Sequence, residues 1–313
     1  MIETAPSSPI LRLGTRESPL AMAQARETRD RLCKAHGWDE AQVELVTVKA
    51  SGDKILDRPL ADIGGKALWT KELDQWLGEG HVDACVHSMK DVETVRPPQF
   101  TIGAILPRAD RRDVLVGAAS IAEIPQGACV GTSAPRRAAQ LLNHRPDCEV
   151  VGIRGNVATR LAKLEAGEAD VTFLAAAGLT RLGQGDVGTP LDADAWVPAA
   201  AQGAIGIECR ADDERVRALL VAIDDPASHA EVLADRALLE ALGGNCHSSV
   251  AVDSRCNGER IKMRAVVFSP DGQERVEGEA EFAARDAAGA KALAQDLLGR
   301  SSTAITQHFG QAG

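Results

Sequence analysis

The chain has 313 residues, 44% of them apolar and 26% charged, with 35 Lys and Arg against 45 Asp and Glu for a formal charge of −10. That length calls for two or three cores rather than one, and the composition excludes a disordered, collagen-like or coiled-coil chain. The acidic balance argues against non-specific nucleic-acid binding, and no run approaches the roughly 18 uninterrupted apolar residues of a spanning helix; with no basic-then-apolar leader at the start, a cytoplasmic protein is expected.

Up to about residue 220, short β-branched runs alternate with helical segments, which predicts α/β architecture with largely parallel sheets. Strands are expected at Ile10–Leu13, Val43–Val48, Ala84–His87, Val114–Val116, Cys129–Gly131, Glu149–Ile153, Val171–Leu174 and Ala204–Glu208. Ser18 followed by Pro19 is a helix N-cap with proline in the first turn, and Gly37 closes that helix. Asn156 caps a second helix that ends at Gly167. Beyond Asp224 the texture changes. A helix over Ala227–Leu242 stops at Gly243-Gly244, and strands follow at Val250–Arg255, Arg260–Phe268 and Glu274–Phe282, divided by turn signals at Asn257-Gly258 and Pro270-Asp271-Gly272. One final helix is expected from Asp286 to His308, completing a small α+β domain. No internal repeat of fixed period stands out.

Three constellations could carry chemistry. The first is arginine: Arg108, Arg111, Arg112, Arg136, Arg137, Arg154, Arg160 and Arg181 gather around predicted strand-to-helix junctions. Gly131-Thr132-Ser133-Ala134-Pro135-Arg136-Arg137 and Arg154-Gly155-Asn156-Val157-Ala158-Thr159-Arg160 each join a strand end, free backbone N–H groups and two guanidiniums, a setting for carboxylates or phosphates. Any one of these arginines could equally pair with a nearby Glu on the surface. The second is His87-Ser88-Met89-Lys90-Asp91, a strand running into polar groups, readable as an acid–base site or as ordinary turn capping around a core histidine. The third is Gly243-Gly244-Asn245-Cys246-His247, which presents a cysteine on a loop, as a nucleophile or an attachment point. The seven cysteines are widely spaced without a CxxC pair, which fits reduced thiols and no metal site. Gly64-Gly65-Lys66 lacks Walker spacing.

Taken together, the sequence resembles the porphobilinogen deaminase family. The resemblance rests on Thr15-Arg16-Glu17-Ser18-Pro19-Leu20-Ala21, Ile63-Gly64-Gly65-Lys66, Val86-His87-Ser88-Met89-Lys90-Asp91-Val92, Val130-Gly131-Thr132-Ser133 with Arg136-Arg137, Arg154-Gly155-Asn156-Val157 with Thr159-Arg160, Ala177-Gly178-Leu179, Gln202-Gly203-Ala204-Ile205-Gly206-Ile207-Glu208 and Gly243-Gly244-Asn245-Cys246. These stand in order along nearly the whole chain.

The resemblance implies two periplasmic-binding-protein-like α/β lobes with a double crossover, plus a small α+β C-terminal domain. The first lobe would take residues 1–106 and 201–222, the second 107–200, and the third domain 223–313. It implies a transferase of tetrapyrrole and haem biosynthesis that deaminates four porphobilinogen molecules and joins them head to tail into hydroxymethylbilane, releasing ammonia. One dipyrromethane cofactor per chain, thioether-linked to Cys246, would serve as primer. Asp91 would be the catalytic carboxylate, stabilising the positive nitrogen of the methylene pyrrolenine that forms as ammonia leaves. Ser88, Lys90, Thr132, Ser133, Arg136 and Arg137 would hold the cofactor, and Arg16, Ser18, Lys66, Arg154, Arg160, Arg181 and Gln202 the substrate. Porphobilinogen carries an acetate and a propionate, so a growing chain of pyrroles explains a basic cleft in an acidic protein. A monomer with no nucleic-acid or membrane partner is expected, and the stretch Ala50–Lys66 would be a cover over the cleft.

The sequence departs from the family pattern at Ala134-Pro135 (commonly Ser-Leu), Asp62 (commonly Lys), Trp69 (Phe), Ala201 (Gly) and His247 (Gln or Val). A non-catalytic two-lobed carboxylate-binding protein is the rival reading, and a cysteine hydrolase built on Cys246 would leave the arginines unexplained.

Overall fold

The computed structural model describes residues 9–48, 70–244 and 248–310. The first stretch contains β1 (Leu11–Arg16), α1 (Pro19–His36), β2 (Val43–Val48), α2 (Lys71–Gly78), β3 (Ala84–Ser88) and β4 (Phe100–Ile105). Next come β5 (Asp113–Val116), β6 (Cys129–Gly131), α3 (Pro135–His144), β7 (Glu149–Val151), α4 (Val157–Glu165), β8 (Val171–Ala175), α5 (Ala176–Arg181) and β9 (Thr189–Pro190). The remainder is β10 (Ile205–Arg210), α6 (Glu214–Val221), α7 (Pro226–Leu242), β11 (Val250–Cys256), β12 (Arg260–Phe268), β13 (Arg275–Ala283), α8 (Ala287–Arg300) and α9 (Thr303–Thr306).

Two five-stranded sheets share one plan. The first runs β2-β1-β3-β10-β4 and the second β7-β6-β8-β5-β9. In each, the fourth strand in that order is antiparallel to its neighbours, β10 against β3 and β4, and β5 against β8 and β9. The reversed strand of the first sheet arrives from the far side of the second sheet in sequence, whereas that of the second arrives from the near side. The chain therefore crosses between the lobes twice, once before Asp113 and once before Ile205. This structural duplication leaves no fixed-period sequence repeat, and the sheets are mixed where the sequence suggested largely parallel ones.

Burial follows from that plan. Strand β3 is flanked by helices on both sides and is buried over Ala84–His87, as expected of a strand covered on both faces. One face packs Leu11, Leu13, Val86 and Ile207 against Leu32 of α1 and Leu220 of α6; the other packs Cys85 and Val48 against Leu73 and Leu77 of α2. The second lobe centres on Leu115, Val130, Phe173 and Trp196. The third domain is the antiparallel sheet β11-β12-β13, whose apolar face, Val252, Met263 and Ala265, closes against Leu238 and Leu242 of α7 and Leu293 and Leu297 of α8.

Local capping chemistry behaves as read. Ser18 Oγ accepts from Ala21 N, Pro19 occupies the first turn, and Gly37 at φ 68° ends α1. Asn156 caps α4, which stops at Glu165 with Ala166 as C-cap, a residue short of Gly167. The expected helix from Asp286 to His308 is instead two, because Ser301 is extended and the Ser302 side chain accepts from Ala304 N, starting α9 afresh.

Candidate active site

The site is built where the parallel strands of the two lobes end, the usual ligand position in open α/β sheets. Strand β3 runs into a single 3-10 turn, Met89–Asp91. Met89 is its anchor: the side chain is buried, and its N–H donates to Ala204 O at 3.1 Å. It lies directly over Gly206, where an added Cβ would sit 2.1 Å from Met89 Sδ. The turn thus fixes Lys90 and Asp91 by packing from below. Asp91 is half-buried, and among the described residues no hydrogen bond or ion pair is made to its carboxylate. Burial lowers the Lys90 pKa; Asp91 opposes that shift, while Arg137 and Arg160 reinforce it.

Arg160 faces Asp91 from the second lobe. Its Nε donates to Gly155 O at 2.9 Å, and burial, followed by the nearby charge of Arg137, pushes its pKa down to about 10 against the pull of Asp91. The loop that carries it turns at Gly155, φ +114°, where a Cβ would meet Thr159 at 2.6 Å. Asn156 Oδ1 then accepts from Thr159 N at 2.9 Å and holds the first turn of α4. Arg154, half-buried on the same loop, is close enough to Arg160 to lower its pKa further.

Beneath these cations lies a buried ion cluster. Asp113 receives Arg136 Nη2 at 2.6 Å and Arg137 Nη2 at 2.7 Å, and both guanidiniums are buried. The two arginines hold its pKa well below the usual carboxylate range despite complete burial. Arg136 also donates to Val197 O and Arg137 to Phe173 O. Arg137 Nε is buried with no partner. Lys90 likewise makes no hydrogen bond or ion pair among the described residues. An orphaned buried N–H and an unpaired ammonium beside Arg160 fit an anionic, carboxylate-bearing group.

Of the other expected residues, Ser88 Oγ is hydrogen-bonded to the Gln24 side chain at 2.7 Å. Thr132 Oγ1 accepts from Ala134 N, and Ser133 Oγ donates to Ile153 O at 3.0 Å. Ala134, where the family commonly has Ser, is the N-cap of α3 and offers no side-chain bond. Arg16 ends β1 opposite Val48. Arg181 and Gln202 both make contacts within the protein. Arg181 pairs with Glu27 of α1 at 3.2 Å and donates to Gly203 O, so its guanidinium joins the two lobes. Gln202 is 1% exposed, and its amide nitrogen donates to Arg111 O and Asp113 Oδ1. Of the larger arginine set, Arg108 and Arg111 are tied into Glu231, Asp235 and Asp253 of the third domain. Lys66, Cys246, Asp62, Trp69, His247 and the expected cover Ala50–Lys66 lie outside the described residues. Gly244 is described, and its O accepts from Thr94 Oγ1 at 3.1 Å, which ties the end of α7 to the segment just after Asp91.

Sequence reasoning missed Asp113. The signal was present: an acidic residue opening the otherwise apolar strand Asp113-Val114-Leu115-Val116. His87 is a core histidine, 3.6 Å from Glu208, and burial lowers its pKa to about 4.

The fold and site define a two-lobed α/β protein that gathers cations around one open carboxylate, a class suited to holding a polyanion while a positive charge develops on it. The comparisons make this specific. Residues 11–218 match the family described as "Porphobilinogen deaminase, dipyromethane cofactor binding domain", and residues 229–300 match "Porphobilinogen deaminase, C-terminal domain". A porphobilinogen deaminase of Sphingopyxis alaskensis is 52% identical over 97% of this chain and 98% of its own length. One of Paracoccus denitrificans is 49% identical over 95% of this chain and 96% of its own. Among solved structures, the VFT2 domain of BvgS from Bordetella pertussis is similar at TM-score 0.41 and 16% identity, over 68% of this chain and 85% of that one; the two-lobed plan described here rests on its own strand order. The chain belongs to the porphobilinogen deaminase family, is an enzyme of tetrapyrrole biosynthesis, and carries that family's dipyrromethane-cofactor domain. Among the described residues no helix is long and apolar enough to cross a membrane.

Proposed function

We propose that Asp91 is the catalytic carboxylate with which this chain deaminates porphobilinogen and joins four molecules head to tail into hydroxymethylbilane, and that Cys246 anchors the dipyrromethane cofactor. The observation that carries the reading is Asp91 itself: a carboxylate without a partner among the described residues, on a rigid turn, facing Lys90 and Arg160. As ammonia leaves porphobilinogen, positive charge spreads onto the pyrrole nitrogen, and a fixed carboxylate accepting that N–H stabilises it. The cofactor, when bound, supplies the ring carbon from which the product chain grows. Arg154, Arg160 and Arg16 take the acetate and propionate of the substrate, and the family resemblance adds Ser18 and Lys66 to that set. Lys90, Arg137, Ser88, Thr132 and Ser133 line the cofactor side. Arg136, Gln202 and Arg181 act from behind, the first two through Asp113 and the third by tying the lobes. The hydrogen bond from Thr94 to Gly244, which brings the described chain two residues before Cys246 to the segment after Asp91, supports Cys246 as the anchor.

The sheet membership of the strands supports lobes at 1–106 with 201–222 and at 107–200, and a third domain at 223–313. The net charge of −10 supports the absence of a nucleic-acid partner, the widely spaced cysteines without a CxxC pair support a reducing, cytoplasmic setting, and the family resemblance supports a monomer. The test is Asp91→Asn in the cofactor-loaded full chain. Tetrapyrrole formation should fall by about 10²–10⁴-fold, the range for a positioned acid–base group, while intact-mass spectrometry still finds the cofactor mass, mapping to Cys246. Turnover within tenfold of wild type overturns the role of Asp91, and a cofactor mass mapping to another residue overturns that of Cys246.

A further inference from the structure

Asp113 stands at the start of β5 and is completely buried. Its Oδ2 accepts from Arg136 Nη2 at 2.6 Å and from Trp196 Nε1 at 2.9 Å; its Oδ1 accepts from Arg137 Nη2 at 2.7 Å and from Gln202 Nε2 at 2.9 Å. A carboxylate has about four lone-pair sites, so this one is saturated and fixed in rotation. Arg137 is fixed in turn, with Nη2 on Asp113, Nη1 on Phe173 O at 2.8 Å, and only Nε left buried without an acceptor. Charge points the same way. Asp113 faces Arg136 and Arg137 directly and Lys90 within electrostatic reach, and even with Asp91 beside Lys90 two carboxylates stand against three cations, so the cluster keeps a net positive charge.

We propose that Asp113 is a positioning residue for the dipyrromethane cofactor: by holding Arg137 in one orientation it presents the unpartnered Nε–H to a cofactor carboxylate. This rests on the reading of Arg137 as a cofactor contact. Asp113 also joins the cofactor side to the second crossing, because Trp196 and Gln202, two of its four donors, lie on the chain as it returns to the first lobe. Replacing the carboxylate by an amide keeps the volume but removes the charge that holds two guanidiniums side by side, and it sets an NH2 donor against other donors.

The experiment uses the full chain prepared without cofactor and incubated with porphobilinogen. Intact-protein mass spectrometry follows the rate of covalent loading, and thermal melting of the unloaded chain reports the fold. Asp113→Asn should load at least tenfold more slowly while still melting cooperatively. Arg137→Gln, run in parallel, tests the underlying reading: wild-type loading by that variant defeats the reading and the proposal with it. Slow loading by Arg137→Gln together with loading by Asp113→Asn within twofold of wild type defeats the proposal alone. Trp196→Phe removes one donor from the same carboxylate without touching either arginine. It should lower the melting temperature and keep loading within threefold; a loss as large as that of Asp113→Asn would mean that loading follows core stability, which overturns the positioning role. If Asp113→Asn does not fold, Asp113→Glu decides, since it keeps the charge and displaces it by one methylene. Slower loading than wild type supports the proposal, and wild-type loading overturns it.

Discussion

Gly206→Ala tests whether the position of Asp91, the carboxylate proposed as catalytic, is set from beneath. A Cβ at this position would lie 2.1 Å from Met89 Sδ, 2.8 Å from Met89 Cγ and 3.1 Å from Ile105 Cδ1, against an ordinary carbon contact distance of about 3.5–4.0 Å. Met89 must therefore retreat by more than an ångström. It is 3% exposed and begins the turn that ends at Asp91, so it has little room to do so without moving the turn. Overpacking of this kind costs about 1–3 kcal/mol, and a displacement near 1 Å at a reacting group costs on the order of 10²-fold in rate. Met89→Ala alone leaves a cavity, costing about 2–5 kcal/mol. The double variant should recover part of both losses, because the new methyl enters the space vacated by the thioether. Urea unfolding gives the stability cycle, and porphobilinogen consumption gives the rate. Additive losses to within about 0.5 kcal/mol, or a Gly206→Ala variant with native turnover, would refute the argument.

Two further outcomes follow from buried charge. His87 stays neutral in the fold, its pKa lowered by burial to about 4 from 6.5. The unfolded chain therefore takes up this proton first: stability is full above about pH 6.5 and declines as the pH falls toward 4, by about 3 kcal/mol in total at about 1.4 kcal/mol per pH unit. A His87→Phe variant should show a shallower acid slope in urea melts over that window, and an unchanged slope would refute the assignment. Asp235 is fully buried; it accepts from Ala201 N at 2.8 Å and from Ser254 Oγ, and pairs with Arg108 at 3.2 Å. Asp235→Ala strips a charge from that network and should cost about 3–5 kcal/mol; a loss below about 1 kcal/mol would show that Glu231 alone suffices for Arg108.

What the sequence disclosed and what it withheld divide along the range of the interactions. Ser18, Gly37 and Asn156 were legible because a cap is chemistry within a single turn. The strand Cys129–Gly131 and the third-domain strand Arg260–Phe268 were legible because apolar runs bounded by turn residues are local too. Strand direction is not encoded locally: a short buried run reads the same for β8 and for β5, which pairs with it in the opposite sense, so the reversed strands and the shared sheet plan emerge only from the pairing. Strand β4 escaped notice because Thr101-Ile102-Gly103 follows Pro97-Pro98 and lacks a sustained β-branched run. The arginines separate in the same way. The sequence marks them only as a group near strand-to-helix junctions, several beside Gly, Ser or Thr, yet Arg160 lies near the open carboxylate while Arg136 pairs with buried Asp113 and Arg181 bridges the lobes. The difference is made by Asp113 and Glu27, acids that stand 23 and 154 residues away from Arg136 and Arg181. A cluster of like charges in sequence therefore identifies the kind of ligand, a polyanion. A distant acid already engages some members of the cluster, and Asp91 differs from the paired carboxylates in that among the described residues no distant base satisfies it, which is the contrast on which its proposed role rests.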